Sequence, residues 1–388
     1  MQVVRPIAQN GEDRDSGTME RAVVSRPRLP GASSLAVRVS EIALIVGVAL
    51  FFFDRLFNAA RHDLLALDFR QTYLPAAEAL VHGHSPYPEY GYPPLVAFLS
   101  VPFALLGRPD VLVTIVMIAC VPLALWLLDI RDVRCYAALF LWVAVFNAIQ
   151  TGNVTLPMLV GIAACWRWRD RVWRASLAGG LSAAAKIIAW PLVVWLAATR
   201  RWSTAAGVVL VAGASTFLLW AVLGFSGLSG YVGSLGTLAD QQQLRGYTVQ
   251  ALAEDAGLHS PLPGLLGSAL ALVTLVGVVV FARRGDDARS FAFAVAAVIV
   301  ASPIVWLHSF VLLIAPLAVL RPRFSALWLL PAALWFVSPG TGNGATWQTA
   351  TTLGGFALLF FVLLLPRRAA QSGTEWSSGA RAVAGQGS

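Results

Sequence analysis

Asp68, Lys186 and His308 are the residues of this chain best suited to chemistry, because each puts an ionisable group where the surrounding sequence is apolar. Asp68 lies in Leu67-Asp68-Phe69-Arg70-Gln71-Thr72-Tyr73, at the start of a stretch to Pro94 rich in carboxylates, histidines, tyrosines and prolines. A carboxylate that meets water yet faces a helical bundle can take a proton from a sugar hydroxyl as general base, provided it stays ionised or is raised only modestly by burial. It can equally cap a helix or pair with Arg70. Asp63, Glu78 and Glu89 compete for the same role in the same loop. Lys186 is the sole lysine, set in Ala183-Ala184-Ala185-Lys186-Ile187-Ile188. An ammonium within a membrane is costly unless it is paired or reaches water, so it reads either as a point charge for a phosphate or as a side chain snorkelling to the interface. His308 ends Ser302-Pro303-Ile304-Val305-Trp306-Leu307-His308, at a proline-broken helix end. A lone histidine on an apolar face is more often a satisfied core residue than a functional one.

Around these stand groups suited to hydroxyl-rich ligands. Gln150 and Asn153 can hydrogen-bond sugar hydroxyls, or cap a helix beginning near Val154. Tyr73, Tyr87, Tyr90 and Tyr92 can stack on a sugar ring, although interfacial tyrosines are ordinary in membrane proteins. A second polar segment, 224–261, carries Asp240-Gln241-Gln242-Gln243, Arg245, Tyr247 and Gln250 and is long enough for a lid or an acceptor-binding element. No zinc-ligand spacing, Walker loop, dinucleotide fingerprint or nucleophile elbow is present. No metal or cofactor is therefore expected.

The elements that must position these residues are membrane helices. The 388 residues are 57% hydrophobic and 12% charged, with 14 Trp, 20 Phe and apolar runs recurring from Glu41 to Pro366. That pattern predicts an all-α integral membrane protein, a polytopic bundle of about ten to twelve spans. The net charge of +8 resides in arginine patches between apolar runs, which is how orientation signals are distributed, so nucleic acid is not an expected partner. The patches are the N-terminal region, Arg131/Arg134, Arg167 to Arg174, Arg200/Arg201, Arg283 to Arg289, Arg321/Arg323 and Arg367/Arg368. Placing them all in the cytosol puts both tails there, 1–40 and 367–388, each read as disordered, flanking a membrane domain over 41–366. It also puts residues 58–110, Gln150 to Asn153, the Lys186 turn, 224–261, Ser302 to His308 and Ser338 to Trp347 on the exterior face. Residues 175–199 read as two short helices meeting near Lys186 and Pro191, and Leu95 to Gly107 as a juxtamembrane or re-entrant helix. Cys120, Cys135 and Cys165 fall in apolar runs and read as packing residues. A water-soluble sugar nucleotide would be cytosolic, on the wrong side for the polar groups, so a donor should be presented by the membrane itself.

Taken together, these residues resemble the polyprenol-phosphate-sugar-dependent glycosyltransferases of the GT87 (DUF2029) family, within the GT-C superfamily. The resemblance spans about residues 40–366. It rests on Asp68 with Tyr73, Ala76-Ala77, Gly83 to Tyr87, Tyr92-Pro93-Pro94, Gln150-Thr151-Gly152-Asn153, Ala178-Gly179-Gly180 leading to Lys186, and Ser302 to His308. Two strings depart from the family pattern: Gln150-Thr151-Gly152-Asn153 stands for the usual Gly-Gln-x-Asn, and Leu307 stands where an acidic or polar residue is common. The resemblance implies a GT-C-like bundle whose first exterior loop carries juxtamembrane helices and the catalytic aspartate. It implies a plasma-membrane enzyme that moves a sugar, mannose or in some members arabinofuranose, from a polyprenyl-phosphate donor to a glycolipid or polysaccharide acceptor of the cell envelope. By that resemblance Asp68 is the base and Lys186 and His308 are candidates for the donor phosphate; the residues themselves add Arg70 and Arg245 toward the same phosphate, and Tyr73, Tyr87, Tyr92, Gln150 and Asn153 toward the sugars. A lipid-linked sugar transporter would share the polytopic fold, but should show paired broken helices in two repeated halves.

Overall fold

A chain crossing hydrocarbon must satisfy its backbone N–H and C=O groups internally, which favours helices for apolar runs such as these. The computed structural model describes residues 32–242, 246–339 and 344–365, and among them every regular element is helical. There are two compact units, one ending at Ile42 and a bundle running from Ala43 onward. Helix α1 (Ala32–Arg61) begins inside the stretch expected to be an N-terminal tail. Residues 1–31, the whole C-terminal tail 367–388 and Arg245 lie outside the described residues.

Among the described residues, five helices are long and apolar enough to cross a bilayer: Leu35–Arg61 within α1, α4 (Pro109–Leu127), α10 (Trp202–Val222), α13 (Leu262–Arg283) and α16 (Thr346–Leu364). A sixth crossing is available if α5 (Val133–Leu139) and α6 (Val143–Thr151), bent by 66° at their junction, act as one. The remaining runs expected as spans are shorter than the ~20 residues a crossing needs. They fold as short helices packed among the long ones: α7 (Thr155–Arg167), α8 (Val172–Ala185), α9 (Pro191–Ala198) and α14 (Asp287–Val300). Most of α7 and α14 is buried, which is how such short segments avoid meeting lipid at their ends. Residues 324–338 form only two 3-10 pieces, Ala326–Trp328 and Leu330–Phe336. The first polar loop carries two short helices, α2 (Leu74–Val81) and α3 (Pro94–Ala104), the second where a juxtamembrane helix was expected.

Five arginine patches meet at one end of the bundle. Arg167 donates to the carbonyl of Leu127 at 3.2 Å, next to the Asp129–Arg134 turn. Asp132 in that turn accepts from the backbone of Phe324, beside Arg321 and Arg323, at 3.2 Å. Arg321 and Arg289 reach the C-terminal carbonyls of α16, at Leu365 and Leu364. Arg169 and Arg201 converge on Asp287, at the start of α14. Helices α7, α8 and α14 each have one terminus in this cluster, and their opposite termini lead to Asn153, Lys186 and the His308 segment. At 1.5 Å per residue, these helices set the two ends about 20 Å apart.

Candidate active site

Asp68 opens a π-helical turn, Phe69–Tyr73, without capping it through its side chain. Arg70 turns the other way and pairs with Asp63, Nη1 to Oδ1 at 2.5 Å, so the two simplest structural roles for Asp68 are not the ones it fills. Its partner comes instead from the α6–α7 junction, where Asn153 Nδ2 donates to Asp68 Oδ2 at 2.7 Å. The junction fits closely because Gly152 is left-handed (φ +68°) and carries no Cβ. A Cβ there would stand 3.1 Å from both Phe69 Cβ and Val113 Cγ1, and 3.3 Å from the Cα of the fully buried Ala66.

Lys186 is placed by α8, which is gripped on two sides. Gly161 of α7 leaves room for the Ser182 hydroxyl, and a Cβ on Gly180 would come 2.6 Å from Val211 Cβ of α10. This close approach of small residues is how helices pack in a bilayer, and here it explains the Ala178-Gly179-Gly180 string. The helix stops at Lys186, which is extended (φ −150°, ψ 112°) ahead of a 3-10 turn, Ile187–Ala189, and then α9, matching the expected break. Lys186 is half-buried, and among the described residues its ammonium has neither a hydrogen-bond partner nor a carboxylate within ion-pair distance. Its charge is nonetheless felt at both Asp68 and His308, which places the three groups near one another. His308 is 3% exposed, in a 3-10 helix over Leu307–Leu313, with its Nε2 buried and unpartnered among the described residues.

Tyr73 and Tyr92 meet edge to face at 5.1 Å, and both rings feel the Asp68 charge. Tyr87 stands apart: it stacks on Trp220 at 4.3 Å and donates its hydroxyl to the Tyr92 carbonyl at 2.8 Å, bracing the loop instead of presenting a free ring face. Gln150 is half-buried on the last turn of α6, and Arg70 is held by Asp63. Sequence reasoning missed Thr155, whose backbone N–H and hydroxyl both donate to Asn153 Oδ1, at 3.0 and 2.6 Å. An asparagine two residues ahead of a threonine at a helix start carries the signal for that contact. Trp220, beneath Tyr87, has no signal in the local sequence.

Burial raises the Asp68 carboxyl above its ordinary range, while the Asn153 hydrogen bond, the Lys186 charge and Thr151 pull it back down. Burial likewise keeps Tyr73 and Tyr92 as neutral phenols. A carboxylate raised in this way is a better base than a free one, and the Asn153 hydrogen bond and the Lys186 charge favour its ionised form. A nearby ammonium and a buried imidazole suit an anionic group. No metal-binding cluster of His, Cys, Asp and Glu is found among the described residues.

No curated protein and no solved structure matches this chain. The family model for glycosyltransferase family 87 matches residues 90–306, more than half of the sequence; the match takes in Asn153 and Lys186 and leaves Asp68 and His308 to either side. With a multi-helix apolar bundle and a match of that extent, the chain belongs to glycosyltransferase family 87 and is a membrane glycosyltransferase.

Proposed function

We propose that this enzyme transfers a sugar, mannose first among the candidates, from a polyprenyl-phosphate donor to a glycolipid or lipoglycan of the cell envelope, at the extracytoplasmic face of the plasma membrane. The observation that carries this reading is the grouping of Asp68, Lys186 and His308 at the end of the bundle opposite the arginine patches. A basic end facing the cytosol leaves that grouping outside, where lipid-linked sugars and not sugar nucleotides are presented.

The reaction is a single inverting displacement. Asp68 takes the proton of the acceptor hydroxyl as its oxygen attacks the anomeric carbon, the bond to the phosphate oxygen breaks, and polyprenyl phosphate leaves with the electron pair. Lys186 and His308 stabilise the anion that departs. A groove of about 470 Å³ supports a lipid donor: it is lined almost wholly by apolar side chains, among them Val305, Phe310, Leu313, Phe356 and Phe360, and begins in the segment that carries His308.

Incubating the purified protein with radiolabelled polyprenyl-phosphate mannose, and separately with the arabinose donor, plus a lipid-glycan extract tests this. Labelled product should form with one donor in wild type and not with Asp68→Asn. Full transfer by Asp68→Asn would sink the base assignment, and use of neither donor by folded protein would sink the donor class.

A further inference from the structure

We propose that Asn153 is a positioning residue that holds one oxygen of Asp68 as an obligatory acceptor and leaves the other to meet the substrate hydroxyl. The inference rests on Asp68 being the base and adds what makes it one.

The direction of the Asn153 amide is dictated by its neighbours. The backbone N–H of Thr155 can only donate, so the Asn153 atom 3.0 Å from it must be the carbonyl oxygen. The Thr155 hydroxyl closes on the same oxygen at 2.6 Å. A flipped amide would set N–H against N–H, so Nδ2 is fixed toward Asp68, and it too can only donate. Asp68 Oδ2 must therefore offer a lone pair, which favours the ionised carboxyl and confines any proton it accepts to Oδ1. Asn153 is 1% exposed, so water does not compete for its amide. The bracket as a whole is built for contact, with Gly152 left-handed against Phe69 and Ala66 as described above. Phenol rings face the same carboxyl from Tyr73, on its own helix, and Tyr92, ahead of α3; Lys186 faces it from the end of α8, and Thr151 from the end of α6. Arg70 is diverted to Asp63. Asn153 thus meets the carboxyl through an amide that Thr155 locks in one orientation, whereas the Thr151 hydroxyl donates to the Asn147 carbonyl at 2.9 Å.

The test is the pH dependence of transfer by the full-length protein in detergent, for wild type, Asn153→Ala and Asn153→Asp, with polyprenyl-phosphate mannose as donor. Removing the donor should move the acid limb of kcat/KM to higher pH. Asn153→Asp keeps an oxygen for both Thr155 contacts but sets a carboxylate against a carboxylate, so it should move the limb further still. Donor KM should change less than threefold in both. A residue that only braced the fold would lower kcat evenly and leave the limb in place; an unmoved limb in either folded variant overturns the proposal. If Asn153→Ala does not fold, Asn153→Asp decides alone. An active Asp68→Asn would instead refute the base assignment, whereas an inactive Asp68→Asn with an unmoved limb refutes the role of Asn153 only.

Discussion

Arg201 grips Asp287 through two parallel hydrogen bonds, Nη1 to Oδ1 at 3.1 Å and Nη2 to Oδ2 at 2.9 Å. The same carboxylate accepts from Arg169 Nε at 3.0 Å and from the Trp195 indole at 2.8 Å, tying the ends of α7, α9 and α10 to the start of α14. Asp287 is about a quarter exposed, so solvent screens part of this attraction, but removing it leaves two guanidinium groups facing each other. Asp287→Ala should cost about 1–3 kcal/mol, read as a lower unfolding temperature in detergent, and Arg201→Lys, which loses the two-pronged geometry, should cost less. An unchanged melting curve for Asp287→Ala would show the network to be ornamental.

Asp68 should oppose stability at neutral pH. Its pKa in the folded protein lies above the value of a free carboxyl, so the contribution it makes to folding is present below the unfolded value and is lost as pH rises through the folded one. Asp68→Asn keeps an oxygen for Asn153 and cannot ionise. At pH 7 it should melt at the wild-type temperature or higher, with transfer abolished, and the difference should vanish in acid. A large loss of stability at pH 7 would mark Asp68 as a structural residue.

Lys186 should act on both substrate and base. Lys186→Met removes a charge from the phosphate position, which should raise donor KM about 10- to 100-fold, the range expected for a lost charge-assisted hydrogen bond of ~1.5–3 kcal/mol. It also removes a charge that lowers the Asp68 carboxyl, so the acid limb of the rate profile should move to higher pH. Equal donor KM values in the two proteins would remove Lys186 from the phosphate site.

Gly152 and Gly224 make a matched pair of controls. Both are left-handed, at φ +68° and +60°, so alanine at either should cost ~1–2 kcal/mol of backbone strain. A Cβ at Gly224 meets open space, whereas one at Gly152 crowds Phe69 and Val113 and displaces Asn153 from Asp68. Transfer should fall at least tenfold in Gly152→Ala and hold in Gly224→Ala. Similar rates in the two variants would separate the turn from the chemistry.

Much of this molecule is legible without coordinates, and the legible part is local. Hydropathy sums along a segment, so the membrane class and the helical fold follow from composition and run length. The oddity of a single lysine among alanines and isoleucines, or of an aspartate beside an apolar bundle, is visible because cost in hydrocarbon depends on the group itself. The break at Lys186 is readable for the same reason. Span counting is less secure, since short apolar runs such as α7 and α14 become stable only when neighbours bury them.

The partners were decided by tertiary structure alone. Asp68 and Asn153 are 85 residues apart in the chain, and nothing in either local string says that they touch. Arg70 stands two residues from Asp68, inside the π turn, yet pairs with Asp63. Tyr87 is drawn as a ligand platform by its sequence context, and its ring is covered by Trp220 from α10. Lys186 comes near enough to His308 for its charge to be felt there, and the height at which α8 ends is set by glycine and serine contacts on α7, α8 and α10. Sequence alone determined that this is a helical membrane protein with a few misplaced polar groups; which of those groups form one site depends on how the helices pack, and packing is a property of surfaces in contact that spacing along a chain does not encode.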